Sequence, residues 1–513
     1  MSKLDDLIIQ LFAPIVQYLG PTLLRFTPFR RVFVALVKRR FLVRAKNPNP
    51  DSRYPPGVQV DLAMMGIAIV NSVDRILSAQ NVSPQFISNA FRFAGQYLRN
   101  SAQTRQKITE FNSENGTDPP GFLVVSPTNA CNLRCVGCYA DSGINREKLD
   151  WQVFDRILSE VKDLWGKQAV VISGGEPFAY RSDGKNLLDM IERHPDIIFM
   201  SYTNGTLITD KVADRLAELG NFSPAISVEG WRERTDARRG AGVFDQVLDT
   251  FSRLRDRGVP FGVSLTATRH NAEEILSQDF IDFLFEDQGA AYGWIFHYMP
   301  IGRSYTIDLM PTPQQRLWMW RRSWEIIREK QIFLADFWNH GTLSHGCISA
   351  GRYNGGGYMY IDWNGHVTPC VFVPYSPVNI NNLYAEDKTL TDAWRESFFV
   401  EIRKWQEKYT HDNGKHGNWM TPCPIRDHNA EFRSWLRQYE PDPVDENAEQ
   451  ALMDPDYACG MDAYDEAYQA LSGEIWEDQY LTQNKYKDGE LIPLPEIKPA
   501  INKKIGEGIV LKE

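Results

Sequence analysis

Cysteine is scarce in this sequence: there are seven in 513 residues, an odd number. That excludes a disulfide-built mini-protein, and in a reducing compartment clustered thiols point to metal binding or catalysis instead. A cytoplasmic location is the expectation. Lys3, Asp5 and Asp6 are the first charges, and no small-residue cleavage site follows the apolar stretch after them. An excess of basic residues is also lacking. Lys and Arg number 56 against 66 Asp and Glu, for a net charge of −10, so no nucleic-acid partner is expected. Glycine, at 36 residues, is far too sparse for a collagen, and 43% apolar with 24% charged residues excludes a wholly disordered chain. The length corresponds to roughly two to four domains, or to one large barrel with additions.

Acidic residues are absent from one segment. Arg25, Arg30, Arg31, Lys38, Arg39, Arg40, Arg44 and Lys46 follow one another with no Asp or Glu between them. Nine bases against Asp5 and Asp6 give residues 1–46 a charge of +7, which leaves −17 on the rest. Long apolar runs are equally rare. Leu7 to Leu24 has 18 uncharged residues, the lower edge of what a membrane span needs, and Pro14, Gly20 and Pro21 interrupt it. Two short helices or an interfacial segment fit it better. Val32 to Val37 is apolar between Arg30–Arg31 and Lys38–Arg40, a pattern suited to the headgroup boundary of an anionic membrane. The alternative is a helical extension packed on the protein's own core or on a second subunit. Residues 1–120 therefore read as a helical, membrane-contacting region, with further helices over 60–80 and 84–98. Ser83–Pro84 supplies a cap and first-turn proline for the second of these.

From residue 121 the pattern becomes strand–helix alternation. Strands are predicted at 121–127, 168–173, 198–203, 223–228, 261–267 and 292–298, with helices over 151–164 and 243–254 between them. This is an α/β pattern for a parallel sheet or partial barrel. Directly after the first strand stands Cys131-Asn-Leu-Arg-Cys135-Val-Gly-Cys138. Three thiols this close suit three irons of a [4Fe–4S] cubane and leave the fourth iron open. The bland alternative is three buried cysteines in a loop.

The spacing resembles the cluster motif of the radical S-adenosylmethionine (radical SAM) enzymes, and four further segments agree in order. Gly174-Gly175-Glu176-Pro177 is similar to the family's GGEP, which holds the methionine amino group. Thr203-Asn204-Gly205-Thr206 resembles the segment near the cofactor's ribose. Ser227-Val228-Glu229-Gly230 and Asp236-Ala237-Arg238-Arg239-Gly240 complete the series; in that alignment Arg239, with Ser227, meets the methionine carboxylate. Many members have an adenine-packing aromatic just before the third cysteine; here Gly137 stands there and Tyr139 follows the cysteine. The resemblance implies a partial (β/α)6 barrel over 121–335, S-adenosylmethionine and a [4Fe–4S] cluster as cofactors, an electron donor such as flavodoxin or ferredoxin, and hydrogen-atom abstraction from an unactivated carbon.

Cys347 precedes a hairpin marked by Asn364–Gly365, and Cys370 follows it; Cys423 and Cys459 complete the seven. This part resembles the SPASM and twitch extensions, which bind auxiliary iron–sulfur clusters. A full SPASM set needs more cysteines, whereas four suffice for a second [4Fe–4S] cluster of the twitch type over residues 336–470. Residues 471–513 read as an extended tail. His297, Tyr298 and Arg303 are expected near the top of the barrel as substrate contacts, or simply as packing. The apolar, basic N-terminus favours a hydrophobic or lipid-like substrate and a peripheral position on the inner face of a membrane. The alternatives are a peptide-modifying maturase and a non-enzymatic iron–sulfur scaffold or redox sensor. The methionine-binding segments argue against the last of these.

Overall fold

The computed structural model describes residues 27–78, 82–99, 101–144, 147–411, 416–482, 486–487 and 490–498. The uncharged stretch Leu7–Leu24 and the last residues of the tail lie outside that set. Four helices come first: α1 (Thr27–Lys46), α2 (Pro56–Ser78), α3 (Pro84–Arg99) and α4 (Ser101–Asn115). α2 is apolar enough to bury Val58, Val60, Met64, Met65, Ile67 and Ala68, and α1 lies against it. No helix among the described residues is long and apolar enough to cross a membrane.

The strands predicted from periodicity are all present: β1 (Phe122–Val125), β2 (Ala169–Ile172), β3 (Ile198–Thr203), β4 (Phe222–Ser227), β5 (Gly262–Ala267) and β6 (Tyr292–His297). They pair in parallel in that order. Connecting helices cover the outside, among them α5 (Trp151–Asp163), α6 (Leu187–Arg193), α7 (Asp210–Leu219), α8 (Arg232–Arg239) and α9 (Val243–Asp256). Alternation sorts each strand. Leu123 and Val125 are fully buried, while Phe122 and Val124 face the barrel's interior, as do Ile198, Met200 and Tyr202, and Trp294 and Phe296.

Two features extend the sheet beyond the six strands. After α10 (Pro313–Lys330), begun by a Thr312–Gln315 capping box, β7 (Leu334–Asp336) adds parallel to β6. At the other edge β8 (Tyr358–Ile361) pairs in parallel with β1, and β9 (His366–Thr368) and β10 (Val378–Asn379) follow antiparallel. The hairpin expected around Asn364–Gly365 is thus β8–β9, with Gly365 at φ +86°. The whole sheet runs β10-β9-β8-β1-β2-β3-β4-β5-β6-β7. The later helices include α11 (Ser397–His411), α12 (Asn429–Tyr439) and α13 (Pro455–Trp476). The start of the expected extended tail is a correction: α13 runs on through Trp476, and Glu477–Thr482 continues helically. Ser472, Trp476 and Tyr480 are buried, Trp476 and Tyr480 stack, and Trp320 donates to the Tyr480 hydroxyl.

Candidate active site

The C-terminal ends of the strands meet at a cavity of about 580 Å³. The loop after β1 brings Cys131, Cys135 and Cys138 to its wall, together with Tyr139, Gly174, Gly175, Thr203, Asn204, Ser227 and Arg239. Parallel strands expose their carboxyl ends on one side, so segments far apart in sequence converge there. Below this polar rim the wall is apolar and aromatic: Met200, Tyr202, Trp294, Phe296, Phe337 and Phe372.

The three thiols fit a cluster. They share one wall, and Cys131 feels the charges of both other thiols. Among the described residues no three His, Cys, Asp or Glu side chains are grouped as ligands of a single ion. Burial pushes the Cys131 thiol up to about 12, partly offset by the Leu133 amide donating to its sulfur at 3.4 Å. A free thiol there keeps its proton, which iron must displace.

The loop is held by residues whose role no motif announced. Arg303 donates to the Asp141 carboxylate at 2.8 Å, to the Cys135 carbonyl at 2.6 Å and to the Ser142 carbonyl. Its own amide donates to the Cys138 carbonyl at 3.0 Å. Gly302 lets the chains touch: a Cβ there would lie 2.2 Å from the Tyr139 oxygen. Arg303 is thus a brace of the cysteine loop rather than a group that reaches into the cavity. On the opposite side the amides of Gly175 and Glu176 donate to the carbonyls of Thr128 and Ala130, joining the GGEP segment to the same loop. The Tyr139 hydroxyl meets Ser173 Oγ at 2.6 Å and accepts from the Gly174 amide at 3.0 Å, so this tyrosine ties the third cysteine to that ridge. Gly137 has φ +62°, and a Cβ there would meet the Tyr298 ring at 2.5 Å. Tyr298, from the end of β6, occupies the space a side chain at 137 would take.

Glu176, Pro177 and Glu229, expected at the cofactor site, stand behind the wall rather than on it. The Glu176 carboxylate is buried and accepts from the Thr203 hydroxyl at 2.7 Å, the Asn204 amide at 2.9 Å and the Phe178 amide at 3.1 Å. It fastens one ridge to the next, and Pro177 is buried in the turn it starts. Burial raises the Glu176 carboxyl, against the pull of these three donors. Glu229 is also buried and binds both arginines of α8: Arg238 at 2.9 Å and Arg239 through two contacts, one at 2.6 Å. Burial would raise the Glu229 carboxyl, but the guanidiniums of Arg239 and Arg238 outweigh it and hold it below the ordinary carboxylate range. Arg239 Nη1 lies 3.9 Å from Cys135 Sγ, so the pair places positive charge beside the thiols. Asp236 organises the segment that follows, accepting from the amides of Gly242 and Phe244 at 2.9 Å each.

His297 lines the cavity, but both ring nitrogens are engaged. Arg426 donates to Nδ1 at 2.9 Å, so Nε2 carries the hydrogen and donates to Asp336 at 3.0 Å. Burial lowers its pKa to about 4, which keeps it neutral. It is a fixed wall residue and not a free base.

Cys347, Cys370 and Cys423 form a second group beyond the aromatic layer. The charges of Cys347 and Cys370 both act on Cys423, and burial raises all three thiols, Cys370 to about 12. Tyr358 of β8 contacts Cys370 Sγ at 2.9 Å, and Ser349 contacts Cys347 Sγ at 3.1 Å. Cys459 does not join them. It is exposed on α13, where its neighbours Tyr457 and Met461 pack toward Met310 and Tyr298. The expected fourth ligand is therefore not assembled from this cysteine. Phe372 links the two groups: its ring packs edge-on against Tyr139 at 6.0 Å, and Phe337 bridges it to Tyr358.

Comparison with known proteins agrees with this geometry. The model of the Radical SAM superfamily matches residues 125–277, and that of an iron–sulfur cluster-binding domain, SPASM, matches residues 347–424. The second match contains Cys347, Cys370 and Cys423 and stops before Cys459. The chain is 30% identical to the mycofactocin maturase MftC of Mycolicibacterium smegmatis over 57% of its own length and 75% of that protein. It is 27% identical to an AdoMet-dependent heme synthase of Methanosarcina barkeri, over 52% of this chain and 80% of that one. Similarity to the sporulation killing factor maturation protein SkfB of Bacillus subtilis is 28% identity, over 47% and 58%.

Proposed function

The chain belongs to the radical SAM superfamily and carries a SPASM region beside its barrel, and from that premise we propose that it matures a peptide by abstracting a hydrogen atom from an apolar or aromatic side chain. Its cofactors are S-adenosylmethionine, the [4Fe–4S] cluster of the barrel and auxiliary iron–sulfur at the SPASM site. When bound, cluster and S-adenosylmethionine supply a carbon radical able to attack an unactivated C–H bond.

The observation that carries the reading is the two-part cavity. Its rim bears the three thiols, the Gly174–Gly175 ridge and Arg239, while the space beneath is walled by Met200, Trp294, Phe296, Phe337 and Phe372. An apolar side chain can enter such a space at little desolvation cost, and the dry walls protect a radical from water. In this reading Cys131, Cys135 and Cys138 hold the cluster. Gly174, Gly175, Thr203, Asn204, Ser227, Tyr139 and Arg239 line the S-adenosylmethionine site, with Glu176, Pro177 and Glu229 as their supports. Cys347, Cys370 and Cys423 hold the auxiliary iron. A flavodoxin or ferredoxin is the reductant. Two of the relatives above are named for maturation, which supports a peptide over the lipid-like substrate that the N-terminal composition suggested.

The test is anaerobic turnover of reconstituted protein with dithionite and S-adenosylmethionine. One arm contains peptides with perdeuterated apolar and aromatic side chains; the other contains deuterated phospholipid. Deuterium is expected in 5′-deoxyadenosine from the peptide arm only, and not in Cys135→Ala. Transfer from the lipid arm alone would overturn the peptide reading. Absence of S-adenosylmethionine binding would favour an iron–sulfur scaffold.

A further inference from the structure

Helix α1 is amphipathic the wrong way round for a helix that ends at water. Its inward face carries charge. Arg30 is buried against Asp74 and Ser78 of α2 at 2.8 Å each, and Lys38 donates to Asn71 and to Gln331 at 2.7 Å. Phe41 lies over Gly66, where a Cβ would come within 2.6 Å of its ring, and Ala45 is fully buried. The outward face carries Phe29, Val32, Phe33, Leu36 and Val43, with Val32 and Leu36 the most exposed of them at 62% and 59%. Successive members of that set are three, one, three and seven residues apart, which puts them on one stripe. On α2, Ile69 and Val73, one turn apart, are exposed as well. Such a cluster on a soluble surface marks an interaction site.

The same face is basic. Arg39 and Arg40 are exposed on the stripe's side, Arg44 and Lys46 are exposed along its flanks, and no acid occurs in α1. We propose that this face docks the protein on an anionic lipid bilayer, as a peripheral contact with α1 lying in the membrane plane. Charge decides among the occupants. A second copy related by two-fold symmetry would bring Arg39 and Arg40 against their own kind with no carboxylate between them. The chain's own Leu7–Leu24 is uncharged and would leave the guanidiniums unpaired. A bilayer with acidic headgroups meets both needs, because acyl chains accept the Phe and Leu side chains while phosphates accept the arginines. The −17 charge beyond residue 46 is repelled by the same surface, which orients the protein with α1 toward it.

The experiment is vesicle flotation of the full-length, iron-loaded protein. Vesicles are phosphatidylcholine alone or with a third phosphatidylglycerol, at low and high salt. Variants are Phe33→Asp/Leu36→Asp and Arg39→Glu/Arg40→Glu, with iron content and circular dichroism as checks on folding. The wild type should float with anionic vesicles and much less with neutral ones. Each removed charge should weaken partitioning about fivefold, the equivalent of ~1 kcal/mol, and less at high salt. The Asp pair should abolish binding at either salt. Wild-type protein that stays with the soluble fraction would overturn the proposal. If light scattering then shows a dimer that Phe33→Asp/Leu36→Asp dissociates, the face is a contact between copies. Flotation that survives both folded variants would also overturn it, by moving membrane contact to residues 1–26.

Discussion

Replacing Glu229 by Gln removes one negative charge from a position that two guanidiniums share. The carboxylate is buried and nearly closed to water, and Arg238 and Arg239 are mostly buried beside it. Glutamine keeps the shape and one acceptor oxygen but leaves two adjacent cations without a counter-charge. Breaking a buried pair of this kind costs about 3–5 kcal/mol, chiefly because the surviving charges stay desolvated. For a barrel of this size that corresponds to a fall of roughly 6–20 °C in the unfolding midpoint. The pH dependence carries the same signature. The folded Glu229 carboxyl lies below its ordinary value, so its stabilisation is complete above that ordinary value, near 4.5, and is lost as pH falls through the lower folded value. The gap between wild type and Glu229→Gln should therefore be constant through neutral pH and close only in acid. Anaerobic differential scanning calorimetry across that range measures it, with S-adenosylmethionine affinity as a second readout, since Arg239 loses its anchor. A midpoint at pH 7 within a degree or two of wild type would refute the argument. So would a gap that widens in acid.

Arg303→Ala should loosen the cysteine loop by removing donors to the Cys135 and Ser142 carbonyls and the Asp141 carboxylate. Mössbauer spectra should show iron lost from the barrel site while the auxiliary site stays filled; equal loss from both would refute the brace. Cys459→Ser should leave the iron content unchanged, whereas Cys347→Ala/Cys370→Ala/Cys423→Ala should remove the auxiliary iron alone; a loss in Cys459→Ser would return that residue to the ligand set.

The six strands and the cluster loop were legible in the sequence because their signals are local. Strand periodicity, the helix pattern over 151–164 and the motif residues at successive strand ends are each contained within a few residues. What was not legible is where a side chain points once its segment is packed. Glu176 and Glu229 belong to ligand-like motifs, yet their carboxylates are spent on Thr203 and Asn204, and on Arg238 and Arg239. Counting cysteines made Cys459 a convenient fourth ligand, but a count has no geometry, and the residue is exposed on α13.

The cofactor chemistry was readable from the chain alone, since Cys131, Cys135 and Cys138 follow a strand and the Gly174, Thr203, Ser227 and Asp236 segments stand in the order of the radical SAM motifs they resemble. The sequence by itself also determined the order of the ridges that face those thiols. Tertiary structure decided everything that depends on contacts between distant segments. β7 has only three residues and no periodicity of its own, and it exists because β6 offers it an edge. β8 joins β1 across more than two hundred residues, which carries Cys370 to the far side of the aromatic layer from Cys138. The same holds for α1: its composition is plain in the chain, but only packing against α2 turns Arg30 and Lys38 inward and leaves Phe33 and Leu36 facing out.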